Sequence, residues 1–115
     1  VFISGNHSTA IAKGLITKKQ IEAKGIIYLE NSSVEIEGLK IWGSPITPTF
    51  GDWSFMRDRD KLNKLWQGIP SNSDIVVVHG PPKTVLDLSY NRANELEFCG
   101  CSALLKRMLD IQKKL

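Results

Sequence analysis

A chain of 115 residues has room for one hydrophobic core of modest size. Its 42% hydrophobic and 23% charged residues exclude collagen-like, low-complexity and strongly disordered classes. The formal charge of +3 favours anions without the dense basic face of a nucleic-acid binder.

The longest β-branched apolar run is Ile75-Val76-Val77-Val78, far short of the roughly 18 residues a membrane helix requires. No signal-peptide pattern opens the chain. Neither a membrane nor a nucleic-acid polymer is therefore expected as a partner. Cys99 and Cys101 sit one residue apart, too close for an easy bridge, and read as two reduced thiols of a cytoplasmic protein.

In chain order, residues 1–3 form a short apolar strand pattern that meets Ser4-Gly5-Asn6-His7-Ser8-Thr9, where Gly and Asn permit a sharp turn. Residues 10–24 read as two short helices joined near Gly14, the second opened by a capping box of Thr17 and Gln20 and closed by Gly25. Residues 26–29 predict a strand, and Val34, Ile36, Leu39 and Ile41 alternate around Glu37-Gly38 as an antiparallel hairpin. Residues 43–55 suit an ordered loop with Trp53 and Phe55 packed inside it. Residues 57–61 open a solvated helix start, followed by Leu62, Leu65 and Trp66 at helical spacing up to Gly68. Residues 75–78, apolar on both faces, predict a central parallel strand ending at His79-Gly80-Pro81-Pro82. A polar loop runs to Glu97. From Cys99 onward a closing amphipathic helix sets Leu104, Leu105, Met108, Leu109 and Ile111 against Lys106, Arg107, Lys113 and Lys114. Alternating strands and helices with an inserted hairpin predict an α/β layered fold with mixed strand directions.

In open α/β sheets ligands bind beyond the carboxyl ends of strands, where loops converge. The chain's two histidines, His7 and His79, both follow predicted strands. Neutral imidazole and the Asn6 amide oxygen are competent ligands for a divalent ion, and a neighbouring non-ligand His can donate to a leaving oxygen. Carboxylates normally complete such a set. Asp52 and Asp74 do not stand at strand exits, and Asp87 fits better as a residue that orders its own loop.

The run Ser4-Gly5-Asn6-His7, then Tyr28-Leu29, then Ile41-Trp42-Gly43-Ser44-Pro45 with Thr47-Pro48 and Asp52-Trp53, then residues 74–78 into His79-Gly80-Pro81-Pro82, and finally Gly100 before Leu104, resembles the middle of a calcineurin-like metallophosphoesterase. The Gly-Ser-Pro-x-Thr-Pro and His-Gly-Pro-Pro pair is most similar to the metallophosphoesterase-domain-containing, class III-like phosphodiesterase branch. The likeness spans nearly the whole chain.

The resemblance implies a partial α/β/β/α sandwich with a mixed sheet, formed by residues 1–115 as one partial domain without its first and last motif-bearing strands. It implies that Asn6 and His79 are ligands to the second of two divalent ions, with Mn²⁺, Fe or Zn²⁺ as the candidates. His7 would be the non-ligand histidine that neutralises charge or protonates the leaving group. The implied reaction is hydrolysis of a small phosphodiester, with cyclic or other nucleotides as candidates, by a metal-bridged hydroxide.

The Asp-x-His and Gly-Asp motifs that precede Gly-Asn-His in such proteins, and the Gly-His-x-His that follows, are not in this sequence. The chain therefore reads as an internal fragment, with the metal pair and the activity expected only in a complete parent. Its sheet is expected to expose unpaired edges. Ser8 stands where the resembled proteins carry Asp or Glu, and is expected to cap the next helix. The alternative is a non-catalytic α/β module that keeps the scaffold and uses the loop around Trp53 for a protein partner.

Overall fold

Gly14 and Gly25 adopt left-handed angles, φ 73° and 78°, that stop the first two helices: α1 (Thr9–Ala12) and α2 (Lys18–Glu22). The expected capping box opens α2, with the Gln20 N–H donating to Thr17 Oγ1 at 3.2 Å and the Thr17 N–H donating to Gln20 Oε1 at 2.8 Å. Neither helix buries a residue. The structure, a computed structural model, describes residues 1–112. Lys113 and Lys114, expected on the polar face of the last helix, lie outside the described residues.

The two strands expected at residues 1–3 and 26–29 reduce to one parallel bridge between Phe2 and Tyr28. Phe2 N–H donates to the Ile27 carbonyl at 2.7 Å and Leu29 N–H to the Phe2 carbonyl at 2.9 Å. The predicted hairpin is present as β1 (Ser32–Ile36) and β2 (Leu39–Ser44), with Val34 opposite Ile41 and Ile36 opposite Leu39. Its turn residues, Glu37 and Gly38, have φ 50° and 80°, the left-handed pair that matches strand twist. The loop beyond contains a short parallel pair, β3 (Thr47–Pro48) and β4 (Met56–Arg57). A 3₁₀ turn, Arg59–Lys61, leads into α3 (Leu62–Gln67).

The strand β5 (Ile75–Val78) lies parallel to β2, pairing Trp42 with Val76 and Ser44 with Val78. Sheet order is β1-β2-β5, so the parallel direction is as expected but the central position is not. Among the described residues β5 is an edge strand, and Ile75 is 41% exposed. Alternation along the strands divides the sheet's faces. Trp42, Val76 and Val78 join the core with Leu62, Trp66 and Ile69, whereas a Cβ at Gly43 would lie 2.8 Å from Leu29 Cβ and 2.9 Å from Ile3 Cγ2. Helices thus cover one face and the amino-terminal segment lies against the other.

The polar loop expected before Glu97 is instead a hairpin of β6 (Leu88–Tyr90) and β7 (Leu96–Phe98). Asn91 shapes its tip: the side-chain oxygen accepts from the N–H groups of Ala93 at 2.9 Å and Glu95 at 3.0 Å. The closing helix α4 (Ser102–Gln112) starts later than expected, because Cys101 is held in a bridge to Pro82, its N–H donating to the Pro81 carbonyl at 3.0 Å. Leu104 and Ile111 bury α4 against the core. Trp66 meets Trp42 edge to face at 6.1 Å and donates its indole N–H to the Cys101 sulfur at 3.3 Å. The fold is mixed α/β with a mixed sheet. Among the described residues no helix is long and apolar enough to cross a membrane.

Candidate functional site

The carboxyl ends of β2 and β5 lie side by side, and β5 runs directly into His79. The segment after the Phe2 bridge brings Asn6 to the same place. His79 Nε2 and Asn6 Oδ1 are 2.8 Å apart across 73 positions of sequence. An amide oxygen only accepts, so in this pairing Nε2 carries the proton and donates.

Several contacts hold the Asn6 turn. Ser4, 1% exposed, bonds through its hydroxyl to the Tyr28 phenol at 3.0 Å. Burial pushes the Tyr28 phenol up, opposed by the Ser4 hydrogen bond. Ser54 N–H donates to the Asn6 carbonyl at 3.0 Å. Ser8 does not cap α1 as expected. Its hydroxyl turns back to accept from Gly5 N–H at 3.1 Å, tightening the turn itself.

Gly5 carries the closest approach in the site. A Cβ there would stand 2.7 Å from Cε1 and 2.9 Å from Nε2 of His79, so the imidazole lies over bare backbone. The sequence contains this residue inside Gly-Asn-His, but the partner that requires glycine lies across the fold.

His7, the next residue after Asn6 in the chain, tilts its ring against Trp53 with centroids 4.5 Å apart. Trp53 is 50% exposed, which corrects the expectation that it is packed inside its loop. Phe55 does pack against the core. Its φ of 56° turns the chain so that the two rings part company.

The helix start is solvated as expected, residues 58–61 being exposed, and Arg59 also donates to the Gly100 carbonyl at 2.9 Å and to the Cys99 carbonyl at 2.7 Å. Asp74 and Asp87 are occupied structurally. Asp74 accepts from Lys40 N–H at 2.8 Å. Asp87 accepts from Thr84 N–H at 2.9 Å and Gly100 N–H at 2.8 Å. Cys99 and Cys101 are free thiols.

The Asn6 and His79 donors fit neighbouring positions on one divalent ion in the tautomer that carries the imidazole proton on Nδ1. Ligand bonds of about 2.1 Å at right angles place donor atoms about 3 Å apart. A two-metal centre does not fit: among the described residues no three His, Cys, Asp or Glu side chains gather as a ligand set.

No protein-family profile matches the chain. Metallophosphoesterase domain-containing protein 1 of Homo sapiens is 39% identical over 80 residues, covering 69% of this chain and 24% of that protein. A UPF0046 protein of Caenorhabditis elegans is 33% identical over 104 residues, covering 90% of this chain and 24% of its own length. A probable rhamnogalacturonate lyase C of Emericella nidulans is 31% identical over 124 aligned positions, spanning 99% of this chain and 11% of that protein. The chain thus spans a quarter or less of these relatives, and the last name carries no argument for a segment covering so little of the protein that bears it. The similarities support a metallophosphoesterase-like relation.

Proposed function

We propose that the chain contributes half of the catalytic centre of a metal-dependent phosphodiesterase, with Asn6 and His79 as ligands to one of two divalent ions. The observation that carries this reading is the 2.8 Å meeting of Asn6 Oδ1 with His79 Nε2 at adjacent strand ends. The fuller architecture of the reading is an α/β/β/α sandwich of which residues 1–112 form a part. Free thiols at Cys99 and Cys101 suit the cytoplasm.

When bound, divalent ions such as Mn²⁺, Fe or Zn²⁺ supply Lewis-acid neutralisation of charge on the phosphoryl oxygens. Asn6 and His79 bring their donor atoms within 2.8 Å of each other, and an ion would replace the hydrogen bond between them. Gly5 keeps the imidazole seated over the turn. His7, its ring against Trp53, would be the donor to the leaving oxygen of a small phosphodiester, for which cyclic and other nucleotides are candidates.

Two measurements test the reading. The 115-residue chain is expected to bind Mn²⁺ weakly, lose that binding in His79→Ala, and turn over no bis-p-nitrophenyl phosphate. A longer protein that carries this chain together with Asp-x-His and Gly-His-x-His motifs is expected to hydrolyse that diester with Mn²⁺ and to lose the activity in His79→Ala. A folded longer protein that is inert with Mn²⁺, Fe and Zn²⁺ overturns the hydrolase reading. It would favour a non-catalytic module, for which the half-exposed Trp53 is the natural contact.

A further inference from the structure

Beside His79 a cleft of about 1050 Å³ opens between residues 47–51 and the tip of the β6–β7 hairpin. That volume is at the upper end of small-molecule sites. Of the two metal ligands proposed above, His79 stands at one edge of the lining and Asn6 is not part of it. The remainder is lined by two large aromatic side chains, Phe50 and Tyr90, with Arg59 and Arg92 as cations. Phe50 is 58% and Tyr90 66% exposed. Such rings are ordinarily buried for their area, and here they line a concave surface where a flat ligand could cover them. Thr47, also on the lining, has a buried hydroxyl with no hydrogen-bond partner among the described residues. Buried polar groups are normally paired.

Only part of the hairpin faces the cleft. Leu88 pairs with Phe98, Tyr90 with Leu96 and Ser89 with Glu97. Ser89, Glu97 and Tyr90 at the tip reach the cleft lining, whereas Leu88, Leu96 and Phe98 do not. Arg59 is committed to the Cys99 and Gly100 carbonyls, which leaves Arg92 as the lining cation with no side-chain bond to backbone among the described residues.

We propose that this cleft receives a flat aromatic substituent of the phosphodiester, stacked on Phe50 and Tyr90, with Arg92 drawing the anionic phosphate toward the Asn6–His79 end. The inference rests on the phosphodiesterase reading for the role of the cleft, but binding can be measured without metal or turnover. Aromatic contact and a guanidinium together select an aryl diester over an alkyl diester of equal charge.

The test titrates the 115-residue chain, free of metal, with diphenyl phosphate and with dimethyl phosphate by calorimetry. Diphenyl phosphate is expected to bind at least about tenfold more tightly, and Phe50→Ala or Tyr90→Ala to weaken it about three- to tenfold. Arg92→Gln is expected to weaken it as well, and Leu88→Ala, on the hairpin outside the cleft, to leave it unchanged. All four side chains are largely exposed, so folding is retained. Equal affinity for the two diesters overturns the proposal, as does a loss in Leu88→Ala equal to that in Tyr90→Ala. Aryl binding beside an inert longer protein would sink the phosphodiesterase reading alone. Metal-dependent hydrolysis with KM unchanged in Phe50→Ala and Tyr90→Ala would sink the aromatic subsite alone.

Discussion

At Gly5 the absence of a side chain is a condition of the site rather than of the turn, because nothing but space is needed there. A methyl group would stand 2.7 Å from the His79 ring, well inside van der Waals contact. His79 is exposed and can swing away, so the cost in stability is small, below about 1 kcal/mol. The cost to the Asn6 pairing is complete. Gly5→Ala is therefore expected to unfold at nearly the wild-type urea midpoint while its Mn²⁺ affinity falls at least about tenfold. Paramagnetic broadening of the His79 ring signals during a Mn²⁺ titration measures this directly, and wild-type broadening in the variant would show that glycine is dispensable.

Asp87 is the residue where pH acts on the fold. Burial pushes its carboxyl up, yet the N–H groups of Thr84, Gly100 and Asp87 itself, with the Lys83 ammonium nearby, hold it below the usual value of 3.8. A depressed folded-state value means that the unfolded chain takes up the proton first as acid is added. The stabilisation is present above the ordinary carboxylate range and is lost as pH falls through the folded value. Urea midpoints should fall between about pH 5 and about pH 2 in the wild type and fall less in Asp87→Asn. Parallel profiles would assign the acid sensitivity to other carboxylates.

Elements with a local cause were legible in the sequence. The Thr17 and Gln20 capping box, the Glu37-Gly38 hairpin turn and the Leu62, Leu65, Trp66 spacing each lie within a few residues, and each formed where it was read. The elements that depend on distant partners were not. Residues 75–78 are as apolar as a central strand, but edge position is decided by which other strands pair with them. Leu88, Tyr90, Leu96 and Phe98 alternate correctly for strands, yet each strand is three residues long and the tip is polar, so periodicity had too little length to speak. Trp53 shows the same limit in a loop. Composition marked it as apolar, while its place against His7 follows from Phe55 bending the chain. At the site, His7 and His79 could be picked out as strand-end histidines, but the cover over Gly5 and the cleft residues Phe50 and Tyr90 depend on tertiary approach.

Across the whole molecule, the site is a junction between two strips of chain that are held very differently. His79 extends from a sheet anchored by the Trp42, Trp66 and Leu104 core. Asn6 belongs to the amino-terminal segment, where α1 and α2 bury nothing and only Ser4, Tyr28 and Leu29 dock deeply. Opening free energies should divide along the same line, because amide protection follows burial of the surrounding apolar contacts. The Ile21 amide of α2 and the Ala23 amide just after it are expected to exchange by local opening, about a hundredfold or more faster than Leu105 in α4, with little dependence on denaturant. Leu29, whose N–H bonds to the Phe2 carbonyl, is expected to exchange with the core instead. Native-state hydrogen exchange across low urea concentrations separates these classes. If Leu29 exchanges as freely as Ile21, the amino-terminal segment is not docked on β2 and Asn6 cannot stay within reach of His79. If it exchanges with Leu105, the contact of Gly43 with Ile3 and Leu29 fixes the spacing of the two donors, and α1 and α2 are free to fray without disturbing them.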